Sequence, residues 1–268
     1  MRVKKLVLGF VIPIVILVLW YTATTFMNVP TTILPKIRNV IVTAVDMSKT
    51  GQLPVDLGIS IGRVVKGFLV SAIVGVVLGS AMGMSETAKE LLLPTITTIR
   101  QIPMIAWIPL IILWAGIGEA SKVIIIVIAA VFPILVNTMS GITGTPKGYV
   151  EVAKLYKLGR WQTFTKVFLP HALPQMLVGL KLGLGVSWMA VVASELIAAT
   201  SGIGYRMNEA RSLMRSDKVI VCMIVIGIVG ILMDKVIRGC EKRIVPKKER
   251  PRVYNELKVF LSVIINLQ

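Results

Sequence analysis

Along most of this sequence hydrophobic residues fall in long blocks, with polar residues confined to the stretches between them. The first block, Leu6 to Phe26, has no charged residue and follows the basic start Met1-Arg2-Val3-Lys4-Lys5. It supplies the roughly 20 apolar residues that a crossing takes. A cleaved signal peptide has a shorter apolar core, and no A-x-A-like site follows Trp20, so the block reads as an uncleaved first span. Residues 27–62 are mixed, contain Pro30, Pro35 and Pro54, and predict at most short helices. Later blocks predict spans over about 64–84, 102–118, 123–142, 173–199 and 219–237. The third is broken by Pro94, Pro103 and Pro109 and carries Arg100-Gln101, which places a short helix before Arg100 and the span after it. The expected fold is an all-α membrane protein with six transmembrane helices, one domain over residues 1–245, and a basic tail at 246–268. The tail's last apolar run is too short to span, so an interfacial helix or an unstructured end is expected there.

Two spans carry small residues at spacing four: Gly67, Ser71, Gly75, Gly79 and Gly83 in the second, and Gly179, Gly183 and Ser187 in the fifth. That spacing lines them on one helix face, where a neighbouring backbone can approach closely. It predicts tight helix packing and says nothing about chemistry.

Composition agrees: 55% of residues are hydrophobic and only 16% charged, against a usual ~25% charged in soluble domains. The net charge of +17 would suggest nucleic acid in a soluble protein. Here cationic loops that orient spans explain it better, and no nucleic-acid motif is present. With six spans, 18 Lys and Arg fall on the side of the termini and 8 on the other, which predicts both termini in the cytoplasm. Cys222 and Cys240 form neither a disulfide framework nor a metal pattern.

Residues 143–171 interrupt the pattern with a polar, basic stretch. Pro146 can open a helix, and Tyr149, Val152, Leu155 and Tyr156 are apolar at helical spacing with lysines between. Gly159 fits a turn or helix C-terminus, and a second short helix from Trp161 is expected to end before Pro170. The product is a helix–turn–helix, apolar on one side and basic on the other.

This segment resembles the EAA loop of binding-protein-dependent ABC importer permeases, E-A-A-x-x-x-G-x9-I-x-L-P. Glu151 and Ala153 match its start, Val167 stands at the Ile position, and Leu169-Pro170 match its end. The family glycine falls on Lys157, and Gly159 comes two residues late. Ser60-x-x-Arg63-x-x-x-Gly67-Phe68, Ala106-Trp-Ile-Pro-Leu110, Leu113-Trp-Ala-Gly-Ile-Gly-Glu119, Glu195-Leu-Ile and Gly202-Ile-Gly204-Tyr205 are similar to the nitrate/sulfonate/taurine branch. The resemblance implies a type I permease fold in a prokaryotic plasma membrane and transport of a small anion such as an alkyl sulfonate. It also implies three partners: cytoplasmic ABC ATPase subunits, an extracytoplasmic solute-binding protein, and a second permease copy, most simply in a homodimer. Glu151, Ala153, Lys157, Gly159, Leu169 and Pro170 would form the ATPase-coupling element. The chain has no G-x-x-x-x-G-K-[ST] loop, so ATP-Mg is expected on the partner ATPase and no cofactor on this chain.

Three polar residues within or beside the spans are candidates for the pathway. Glu195 lies near the end of the fifth span, where it either lines the pathway or is solvated or paired. Arg100 either snorkels or attracts an anion, and Asn137 suits an interhelical hydrogen bond. His171 has no nucleophile or metal partner in the sequence and reads as a loop contact. An ion-coupled secondary carrier is the main alternative, but it would show internal repeats and midplane ionisable residues that are not evident here. No HExxH, nucleophile–base set or carboxylate cluster supports an enzyme.

Overall fold

The computed structural model describes residues 2–27 and 29–244, with side chains from Val11 to Gly239. The tail expected at 246–268 lies outside the described residues. The described chain is helical throughout: α1 (Arg2–Phe26), α2 (Ile37–Lys49), α3 (Gln52–Met84), α4 (Glu86–Gln101), α5 (Met104–Ala115), α6 (Glu119–Thr143), α7 (Lys147–Leu155), α8 (Arg160–Thr163), a π-helical turn (Phe164–Phe168), α9 (Leu169–Ala198), α10 (Ile203–Ser212) and α11 (Ser216–Ile244). Two compact units emerge. Among the described residues, one combines the chain up to Ile61 with Glu195–Val229, the other Gly62–Ser194 with residues 230–244.

Several boundaries differ from those the hydropathy predicts. Residues 27–62 hold a 13-residue helix, α2, which buries Val40, Thr43 and Met47 at spacings of three and four. The second span starts at Gln52, well before residue 64, and Pro54 sits in its first turn, where backbone N–H groups have no intrahelical partner to lose. The third span is not a single helix after Arg100. Ser85 caps α4 by accepting the Ala88 N–H at 3.3 Å. The helix then stops at Ile102, extended before Pro103, because a residue preceding proline is driven out of the helical region. α5 leaves at 97° to α4 and has only 12 residues, roughly 18 Å.

The second unit is built on contacts that fix helix directions. A side chain at Gly67 would strike Ile126, at Gly75 Ile134, at Gly79 Thr138, and at Gly83 Ile142. Partners therefore ascend together along both helices, so α3 and α6 run parallel and in close contact. Met84 and Glu119 then lie at opposite ends of this pair, and the chain between them must return across the membrane. The bent pair α4–α5 is thus a broken span. α9 is antiparallel to α6, with Ala172 against Gly141, Gly179 against Asn137 and Gly183 against Ile134 and Ala130. α11 is antiparallel to α9, since Trp188 meets Gly230 while Lys181 pairs with Asp234. Four helices are long and apolar enough to cross, and the broken pair makes a fifth. Six spans are not reached among the described residues, because the apolar stretch of α1 with described side chains, Val11–Phe26, is short of spanning length.

Two apolar clusters hold this unit together. Ile108 and Ile111 of α5 pack with Ile125 and Ala129 of α6 and Ala190 of α9. At the other end Ile142, Ala172 and Met176 pack with Val76, Phe164, Phe168 and Leu169.

Gly79→Ala puts its Cβ 2.6 Å from the Leu135 carbonyl oxygen, which belongs to backbone and cannot move aside. The expected result is a loss on the order of 1–3 kcal/mol, seen as a lower melting temperature in detergent. Gly185→Ala, with nothing within 4 Å of its Cβ, should leave the melting temperature unchanged or raise it.

Candidate functional site

The connection between α6 and α9 forms a structured projection. Lys147 opens α7 after Pro146, and only Ala153 of this helix is buried. Tyr149, Val152, Leu155 and Tyr156, the apolar residues at helical spacing, are all exposed, Leu155 to 81%. α7 lies between the spans α6 and α9, and an exposed apolar face of this kind has the character of an interaction surface, for protein or for the membrane boundary. Lys147, Lys154, Lys157, Arg160 and Lys166 surround it, and Glu151, exposed, is the one acid between Thr143 and His171. A cleft of about 730 Å³ opens beside α7, lined by Tyr149, Val152, Tyr156, Val167, Pro170 and His171.

The turn after α7 is made by Lys157. Its N–H bonds the Lys154 carbonyl at 2.9 Å, and the Leu158 N–H reaches back to Ala153 at 3.0 Å, the bond pair of a Schellman cap. Such a cap needs a left-handed residue, and Lys157 adopts φ +50° to supply it. Gly159 is not at a helix C-terminus. It precedes α8 in extended conformation, φ −66° and ψ 163°, which any residue can adopt. The lysine thus keeps the glycine's geometry at a cost of about 1 kcal/mol.

The helix expected to end before Pro170 instead runs on through it. Residues 164–168 form a π turn, the Leu169 N–H bonds Phe164 five residues back, and α9 continues to Ala198. Pro170 has no N–H to offer this switch between ladders, so the wide turn absorbs the missing bond. Leu169 packs on the Ile142–Met176 cluster while Pro170 faces the cleft.

The remaining candidates sit elsewhere. Asn137 is half-buried, donates to the Pro133 carbonyl at 2.7 Å and accepts from Gln175 Nε2 at 2.8 Å, tying α6 to α9. Arg100 is exposed in the last turn of α4, where a cation suits the helix C-terminus. Glu195 is only 1% exposed and is bonded by the Ser60 hydroxyl at 2.8 Å and the Gly204 N–H at 3.0 Å. Gly75, Gly79, Gly83, Gly179 and Gly183 lie in the helix contacts described above.

Around Glu195 lies a set that single-residue reading of the sequence misses. Three consecutive N–H groups at the start of α10 are each taken by a buried side chain: Gly202 by Asp56, Ile203 by Ser60, Gly204 by Glu195. Arg206 closes the set with 2.7 Å to Asp56 and 2.6 Å to Glu209. Burial opposes the charge on Arg206, but these two carboxylates hold it above the ordinary arginine range. Gly202 has φ +107°, and a Cβ there would lie 2.5 Å from the Glu195 carboxyl carbon. Arg63, 2% exposed, holds Glu119 through Nε at 2.9 Å and through Nη2. The signal in the sequence is three polar residues at helical spacing in a mixed stretch, Asp56, Ser60 and Arg63.

Residues 71–247 match the family described as binding-protein-dependent transport system inner membrane component. The chain is 39% identical over 245 residues to a Methanocaldococcus jannaschii protein that carries the name of an ABC transporter permease, covering 90% of this chain and 91% of that one. It is 35% identical over 236 residues to a Bacillus subtilis protein whose name is that of an aliphatic sulfonates transport permease, covering 88% and 86%. The crystal structure of an amino acid ABC transporter shares the fold, with a TM-score of 0.61 at 17% identity over 74% of this chain and 97% of that one.

Lys157→Gly should relieve the left-handed strain and slow amide exchange at Leu158 by roughly fivefold. Gly202→Ala should lower the melting temperature more than Gly79→Ala does, since backbone strain adds to the collision with Glu195.

Proposed function

The chain belongs to the binding-protein-dependent transport system inner membrane component family and is a permease subunit of an ATP-driven importer; on that basis we propose that it carries a small anion, most simply an alkyl sulfonate, and is driven through the 143–171 loop. Importers of this family work with an ATPase and a solute-binding protein. The observation that carries the coupling role is the apolar face of α7, exposed outside the spans and bordered by the 730 Å³ cleft. An ATPase subunit covers that face in this reading. Glu151 meets a basic part of its groove, Ala153 and the Lys157 turn hold α7 in place, and Gly159, Leu169 and Pro170 lead the motion into α9. ATP-Mg belongs to that partner chain. A second copy of this permease completes the pathway. Both termini lie on the ATPase side, which the excess of Lys and Arg there supports. The sulfonate assignment rests on the name of the Bacillus subtilis relative.

The experiment is co-purification in detergent with an ATPase subunit, followed by ATPase measurement with sulfonate-loaded binding protein. Wild type should retain the ATPase and respond to the loaded protein. Glu151→Lys should lose at least tenfold in capture, about what removing one buried charged hydrogen bond costs. Full capture by the variant would remove Glu151 from the interface, and a response to nitrate alone would reassign the substrate.

A further inference from the structure

A second groove, distinct from the cleft beside α7, lies where α3 ends and α8 begins. Val76, Val77, Ala81 and Met84 of α3 and Phe164 of the π turn line about 540 Å³ of almost wholly apolar space. Both walls are ends of helices that cross the membrane, α3 at Met84 and the continuous rod Arg160–Ala198. The contacts of Gly83 with Ile142 and of Gly141 with Ala172 bring these two ends to the same face of the bilayer. The groove therefore opens at the level where lipid headgroups meet acyl chains.

We propose that this groove is a binding site for a bilayer phospholipid with an anionic headgroup. The acyl chain fills the apolar slot, for which no side chain of the described residues competes. Arg160 stands at the mouth, and no ion pair engages it among the described residues. Beside it Trp161, 73% exposed, takes the interfacial place that an amphipathic ring favours. On the wall, Ser80 is 8% exposed and its hydroxyl has no hydrogen-bond partner. A buried, unpaired hydroxyl is costly, and an acceptor arriving with a ligand would satisfy it. Ser80 lies one turn, about 6 Å, inside the end of α3. The hydroxyl is therefore set deeper than the end of the helix, on the acyl side of the headgroup level. One apolar slot, one buried donor and one cation at the mouth thus follow the order of acyl chain, ester and phosphate. A basic pocket between spans at the membrane surface is a recurring site for anionic lipid. The assignment goes beyond the transport reading, since it does not depend on the solute carried.

The test uses the assembled importer in vesicles of phosphatidylcholine, to which brominated phosphatidylglycerol or brominated phosphatidylcholine is added. The signal is the part of the tryptophan quenching that disappears in Trp161→Phe. Brominated phosphatidylglycerol should quench it at a roughly fivefold lower mole fraction than brominated phosphatidylcholine, the preference one arginine at a membrane surface confers. Arg160→Gln, a change at an exposed position, should equalise the two lipids, and Ala81→Phe should abolish the quenching by filling the slot. Equal quenching by both lipids in wild type would overturn the proposal. A preference that survives Arg160→Gln, or quenching that survives Ala81→Phe, would do the same. Quenching seen in the isolated permease but absent from the assembled importer would show that protein covers the groove, and the site would not be a lipid site.

Discussion

The contact between α3 and α6 sets the directions of the other helices in its unit. In a bilayer no hydrophobic force brings helices together, because lipid is as apolar as a leucine, so association depends on close packing and polar contacts. The glycines of α3 let Ile126, Ile134, Thr138 and Ile142 of α6 sit directly on its backbone. That fit is directional as well as close, since the partners ascend together. Parallel neighbours need a return crossing between them, which is why α4 and α5, bent by 97° at Ile102-Pro103, still have to carry the chain across. From there α9 and α11 follow by antiparallel packing, with Asn137–Gln175 and Lys181–Asp234 as polar ties.

The apolar blocks made most spans legible in the sequence, and the spacing of small residues marked the faces that meet. The early start of α3 has a simple cause. Hydropathy measures compatibility with lipid, whereas Asp56, Ser60 and Arg63 are helical residues buried inside protein. They look like loop in a lipid scale, and the start of α3 was lost with them. The prolines misled in two ways. Pro103 does break a helix, as its chemistry requires, but Pro170 is absorbed by a π turn that no hydropathy pattern announces. The turn after α7 carries the same lesson: Gly159 suggested it by residue type, yet the hydrogen bonds place it on Lys157.

The candidate site divides similarly. The helical spacing of Tyr149, Val152, Leu155 and Tyr156 was visible, and so was the lone acid Glu151. The uncovered state of that apolar face was not, because exposure depends on what α6 and α9 leave beyond their ends. Glu195 stood out as an ionisable residue in an apolar run. One partner, Gly204, is nine residues away, but the other, Ser60, lies far along the chain, and Asp56 and Arg206 complete the same set. Only the fold brings together residues separated by more than a hundred positions.

The parallel pairing also bears on how the chain is made. Gly67 meets Ile126 and Gly83 meets Ile142, so every contact in this seam joins residues far apart in the order of synthesis. Chains emerge N-terminal end first. The notched face of α3 therefore enters the bilayer with no partner and remains lined by acyl chains until the broken span has crossed and α6 has followed it. The α6–α9 pair, adjacent in sequence and antiparallel, closes as a hairpin soon after its second arm inserts. Assembly of this unit thus has an intrinsic delay, set by the biogenesis of one bent crossing.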